Sequence, residues 1–174
     1  MVDRRIARLV LTDADKERFS IPEDVVPKPK GDKSMRFENV GFKFNASPFS
    51  FSFKDVSTPE EYFIDTTDQT LTFFDKYIQM DFKFPSRRLY GLGERMTSFQ
   101  LGEGAYSMWA SGTNAVIENG GRHGLSGVHP FLMVQGSKTG DYVGIFFRNA
   151  NAQTPVIRFT GNDETILSYI TTGG

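Results

Sequence analysis

The chain has 174 residues, 39% of them hydrophobic and 24% charged, which suits a single domain with a core of its own and is far from the composition of a disordered chain. Its 20 Lys plus Arg face 21 Asp plus Glu, a formal net charge of −1, so no long-range field favours nucleic acid or anionic lipid, and no apolar run is long enough for membrane insertion across a bilayer. Cysteine is absent, which excludes disulfides and thiolate chemistry.

Met1 to Arg8 carries charges and no apolar h-region, so no secretory leader is read there and the compartment stays open. Ile6 to Leu11 reads as a first strand. Pro22 to Lys33, rich in Pro, Lys and Asp, reads as an extended, polyproline-like connection. Period-two alternation then takes over: Val40, Phe42 and Phe44, next Phe49, Phe51 and Phe53, and later Ile78, Met80, Phe82 and Phe84 each alternate with small or polar residues. These are expected to be half-buried strands, aromatic side inward and Ser50, Ser52, Gln79, Asp81 and Lys83 outward. Asn45 to Pro48 reads as a tight hairpin connection.

Leu71–Phe74, Phe131–Gln135, Tyr142–Arg148, Val156–Phe159 and Ile166–Ile170 read as further strands, with turns at Gly136 to Gly140 and Thr160 to Asp163. No stretch sustains a helical apolar repeat, so the fold class is all-β, an antiparallel β-sandwich that buries two aromatic faces against each other. Met96 to Val128 interrupts the rhythm. It is Gly-rich, yet Tyr106, Met108 and Trp109 give it an apolar content that a solvated linker does not need.

Chemistry-bearing motifs are few. His123 and His129 lie six apart with no third ligand at metal spacing, so no metal site is expected. Gly91 and Gly93 fail the dinucleotide pattern because Met96 stands at the third glycine, and Ser137 spoils Gly136 to Thr139 as a phosphate loop, so no cofactor is expected. Glu94 and Arg95, an acid beside a base, could sit at a pocket edge, but they read rather as satisfying local backbone and ion-pair partners in a sharp turn. Trp109 carries an indole suited equally to stacking on a sugar ring and to anchoring a loop in a core.

The run Leu89, Tyr90, Gly91, Leu92, Gly93, Glu94, Arg95 resembles a signature of glycoside hydrolase family 31. Its neighbours keep the same order. Upstream lie Leu11 to Asp13, Arg18 to Pro22, Phe49 to Phe53, Ile64 to Thr66, Gln69 to Phe73 and Tyr77 to Gln79; downstream lie His129 to Phe131, Gly144 to Ala152 and Thr171 to Gly174. The resemblance covers nearly the whole chain and implies the galactose-mutarotase-like N-terminal β-sandwich, residues 1–174 as one domain, of an α-glucosidase-like enzyme.

In that family a (β/α)8 barrel supplies the catalytic aspartates, the nucleophile in a Trp, x, Asp, Met, Asn-like run. Ala110 and Ser111 after Trp109 do not match it. The resemblance therefore implies no catalytic residue here and no unaided glycoside hydrolysis. The implied partner is the barrel or another protein subunit, with carbohydrate as the ligand of the shared pocket. The family's loop at this place lends that pocket an Asp or Asn, which makes Asn114, beside Trp109, the expected substrate-binding residue. A structural or interaction subunit and an autonomous carbohydrate-binding module are the rival readings.

Overall fold

Where the period-two pattern is sustained, the backbone is a strand. The computed structural model describes residues 6–27, 40–57, 62–110, 124–136 and 141–173, and these contain β1 (Val40–Ala46), β2 (Phe49–Asp55), β3 (Tyr62–Asp65), β4 (Leu71–Phe74), β5 (Tyr77–Phe84), β6 (Leu89–Gly93), β7 (Gly104–Ala105), β8 (His129–Gln135), β9 (Tyr142–Phe146), β10 (Gln153–Phe159) and β11 (Thr165–Thr171). Among the described residues they form an eight-stranded sheet, ordered β1-β2-β3-β5-β11-β10-β7 with β4 also beside β5, and a three-stranded sheet, β6-β8-β9. Every pairing is antiparallel.

The aromatic side of the large sheet faces an aliphatic side of the small one, so the two sheets do not bury two aromatic faces against each other as the alternation led one to expect. Phe51, Met80, Phe82, Phe84, Ile157, Leu167 and Tyr169 from the large sheet meet Leu89, Leu132 and Val134 from the small one, all buried. Phe147, just past β9, stacks on Tyr169 at 4.3 Å between centroids and meets the edge of Phe82 at 5.7 Å, an offset geometry that aromatic quadrupoles favour. β1 and β2 join through Ser47 and Pro48 alone, since Ala46 pairs with Phe49.

Three further expectations need correcting. Ile6–Leu11 forms no strand: its aliphatic side chains are exposed and no described strand pairs with it. The Pro22 to Lys33 connection opens with a turn rather than an extended stretch, the amides of Val25 and Val26 both donating to the Pro22 carbonyl, and its residues 28–33 lie outside the described residues. The alternating strands are not half-buried throughout, because Ser50, Ser52 and Asp81 are buried on the face read as solvated, while Phe42 and Phe44 on the inner face are 49% and 57% exposed. The outer face of the large sheet is roofed by long polar side chains, Arg158 over Asp81 and Ser168 and Lys83 over Glu164, and short side chains sink between them. Phe42 and Phe44 lie on an edge strand that the narrower sheet does not reach.

One half-buried phenol, Tyr62, and one buried one, Tyr169, make the fold sensitive to alkali. Burial first, and then the hydrogen bond the Tyr62 hydroxyl donates to Glu164 Oε1 at 2.6 Å, hold Tyr62 far above its ordinary value of 10.0, and burial alone does the same for Tyr169, which donates to Gln153 Oε1 at 2.7 Å. A group raised in the folded state contributes stability that is whole below the unfolded value and is lost as pH climbs above it. Stability should therefore fall from about pH 10 upward. Absorbance at 295 nm should show these two of the six tyrosines ionising only as the chain unfolds, and Tyr62→Phe with Tyr169→Phe should raise the alkaline midpoint. An unchanged midpoint in the double variant would contradict the assignment.

Candidate functional site

The Gly-rich turn after β6 is a clamp. Leu92 and Gly91 both take positive φ, 53° and 114°, and a Cβ on Gly91 would lie 2.3 Å from the Phe131 carbonyl oxygen, so only glycine lets β6 pass this close to β8. Glu94 then grips the returning arm of the loop: its amide donates to the Gly127 carbonyl at 3.0 Å, its carboxylate accepts the Gly127 amide at 2.9 Å, and its carbonyl accepts the Leu125 amide at 2.9 Å. Arg95 holds the outgoing arm. Its guanidinium donates to the Leu92 carbonyl and, at 3.3 Å, to the Ser107 carbonyl, and it lies 5.2 Å above the Tyr106 ring. Burial pulls the Arg95 pKa down to about 10, so it remains a cation at neutral pH. Both residues serve the backbone, as their sequence context indicated.

The outgoing arm is a strap across the side of the sandwich. Leu101 donates its amide to the Leu89 carbonyl at 2.8 Å, and Gln100 bridges Tyr90, which extends the small sheet. Gly104 and Ala105 then pair with β10 of the large sheet, and Tyr106 and Met108 donate to the Pro155 and Gln153 carbonyls at 2.8 Å. Leu101, Tyr106 and Met108 are buried. Trp109 is not. The indole is 65% exposed, which removes the core-anchor reading. Gly124 on the returning arm comes so close to the outgoing one that a Cβ there would lie 2.8 Å from the Ser107 carbonyl oxygen. The two arms are thus fixed side by side, with Trp109 on the outer side of the base. Asn114, the other expected substrate contact, lies outside the described residues, as does His123. His129 opens β8 opposite Gly93, and among the described residues no group of three His, Cys, Asp or Glu gathers as a metal site. No helix among them is long and apolar enough to cross a membrane.

A feature the sequence reading missed is the outer face of the small sheet. Phe131, Met133, Tyr90, Tyr142 and Phe146 share it by register, and the Phe131 ring lies across Gly144, where a Cβ would come within 2.6 Å of it. Tyr90 contacts both Phe99, at 5.1 Å, and Tyr142, at 6.4 Å. Phe99 is 84% exposed, and Phe131, Tyr142 and Phe146 are about half exposed. The signal was present in the alternation of β8 and β9, where apolar residues stand on both phases, Leu132, Val134, Val143 and Ile145 on one and Phe131, Met133, Tyr142 and Phe146 on the other.

Fold and clamp together define the class: an antiparallel β-sandwich module that presents one long loop from a fixed base. The chain belongs to the glycosyl hydrolase 31 N-terminal galactose mutarotase-like domain family, whose model matches residues 5–154. It is 31% identical to a probable alpha/beta-glucosidase of Aspergillus clavatus over 93% of its own length and 18% of that protein's. It is also 26% identical to human intestinal sucrase-isomaltase, over 96% of its length and 9% of that protein's. The chain therefore spans less than a fifth of either relative.

Proposed function

We propose that residues 1–174 act as the non-catalytic N-terminal module of an α-glucosidase-like glycoside hydrolase, packing on a (β/α)8 barrel outside this chain and lending the Trp109 loop, with Asn114, to its carbohydrate pocket. The observation that carries this reading is the exposed aromatic outer face of the small sheet, with Phe99, Phe131, Tyr142 and Phe146. Contiguous apolar surface of this kind on a soluble protein marks a place where another surface docks. Phenylalanines outnumber hydroxyl-bearing rings on it, and a ring without a polar edge suits a protein neighbour better than a sugar. The family match and the greater length of the relatives support a further domain as that neighbour. Strand β8, which carries Phe131 and Met133 of the face, begins where the loop returns, so docking there sets the loop base against the same neighbour.

The test uses Trp109, the only tryptophan. Its emission should be that of a hydrated indole in the chain alone. Adding the barrel of a related glucosidase should shift it to the blue and protect Met96 to Val128 from proteolysis. Neither change occurring at concentrations that saturate a stable interface would defeat the proposal.

A further inference from the structure

The two outer faces of the sandwich differ in kind. That of the small sheet is mainly aromatic, whereas that of the large sheet carries a ribbon of hydrogen-bonded side chains running across four strands. It begins on β4 and β5, where Phe74 stands opposite Tyr77 by register and both rings are exposed, 67% and 41%. The Tyr77 hydroxyl donates to Gln79 Oε1 at 2.6 Å, and Gln79 Nε2 donates to Asp81 Oδ1 at 2.9 Å. Arg158 on β10 reaches across β11 to complete it: its Nη2 lies 3.7 Å from Asp81 Oδ2 and donates to Ser168 Oγ at 3.1 Å. The small sheet covers the opposite face, so among the described strands none lies over the ribbon.

The chemistry of the ribbon suits a neutral sugar. Asp81 and Ser168 are buried and hold the others from below, while Arg158, Tyr77 and the half-buried Gln79 reach solvent. Asp81 and Ser168 both engage Nη2 of Arg158, which leaves its Nε and Nη1 to donate to a ligand beside the amide of Gln79. Their mutual bonds fix these groups before a ligand arrives, so little rotamer freedom is lost on binding. Charge excludes other ligands: Asp81 offsets Arg158, and Glu164 offsets Lys83 at 3.1 Å, so no uncompensated cation attracts a phosphate or a carboxylate. A peptide strand gains nothing here, because backbone pairing needs a sheet edge and β5 and β11 are interior. The rings of Phe74 and Tyr77 offer a stacking platform to the C–H face of a pyranose, next to partners for its hydroxyls. From β4 through β5 and β11 to β10 the ribbon spans three strand spacings, about 14 Å, which is longer than one monosaccharide.

We propose that the outer face of the large sheet is a binding site for a neutral oligosaccharide, with Phe74 and Tyr77 stacking on one sugar ring and Gln79 and Arg158 hydrogen-bonding the next. Maltotriose is the probe, a choice that rests on the α-glucosidase-like reading above. The chain is titrated alone, so this site and docking to a barrel succeed or fail independently. Amide resonances of the isotope-labelled chain should shift saturably, most of all in β4, β5 and β10. Phe74→Ala/Tyr77→Ala, at two exposed positions, should weaken binding about tenfold or more. Arg158→Lys, which keeps a cation beside Asp81 but loses the planar fork, should weaken it severalfold. Tyr142→Ala, on the small sheet, should leave it unchanged. No saturable shift with maltotriose, shifts confined to the Trp109 loop, or folded Phe74→Ala/Tyr77→Ala and Arg158→Lys variants that bind as the parent does would each overturn the proposal.

Discussion

Gly91→Ala should destabilise the fold severely, while Gly102→Ala should leave stability unchanged. At Gly91 a methyl group would lie 2.3 Å from the Phe131 carbonyl oxygen on a backbone with φ of 114°, so either β6 leaves β8 or both strands bend. Overpacking of this kind costs about 1–3 kcal/mol, and forcing an L side chain into that region of φ adds roughly 1–3 kcal/mol. The sum, about 2–6 kcal/mol, is a large part of the stability of an ordinary domain. At Gly102 a methyl group meets nothing within 4 Å. Urea denaturation of both variants decides the matter, and midpoints that match each other would mean that the close approach of β6 to β8 does not hold in solution.

Phe51→Asp should be the most damaging single change on β2, and Ser52→Asp should hurt as well. Phe51 is enclosed by Phe42, Phe49, Phe53 and Phe82, so the substitution loses about 3–5 kcal/mol of packing and strands a charge away from water. Ser52, only 5% exposed, stands between Lys43 and Asp65 by register. A carboxylate there meets Asp65 directly across the strand pair, and like charges so placed are destabilising. A cost of about 1–3 kcal/mol is expected, the usual range for a buried polar misfit. Denaturant midpoints measure both, and a neutral Ser52→Asp would show that the outer face of β2 is open to water.

The Ser52 case shows what the sequence carries and what it lacks. Alternation reports which side chains share a face, and β2, β5, β8 and β10 follow from it. It does not report how wide the facing sheet is or how long the neighbouring side chains are. Phe42 and Phe51 are equivalent by pattern, yet one lies at an edge beyond the small sheet and the other lies under Phe82. Ser52 is small and polar, yet its cross-strand neighbours bury it. Ile6–Leu11 has the composition of a strand, but a strand also needs an edge to join, and that requirement is not local. In the loop the same alternation held without being used: Tyr106 and Met108 point inward and Ser107 and Trp109 outward, which settles the indole's exposure from the phase alone. The clamp residues Glu94 and Arg95 were legible because two glycines beside them demanded a sharp turn. The aromatic face of the small sheet was legible in composition but not in meaning, since an all-apolar strand reads the same whether its second face meets a partner or solvent.

The contacts of Arg148 with Ile21 and Val26, 127 and 122 residues away in the chain, bear on the order of events during synthesis. Strand β5 likewise meets its neighbour β11 only when Thr165–Thr171 has been made. Contacts of such long range slow folding because the intervening chain must first be closed. On the ribosome Ile21 and Val26 wait for their partner until Arg148 emerges, although Arg18 can already reach the Asp75 carbonyl and the Phe73 ring, and the large sheet stays split into two halves until Thr165–Thr171 has been made. The nascent domain is thus at its most vulnerable to proteases and to premature association late in its own translation, and it gains its final form all at once, when β11 is free to slide between β5 and β10.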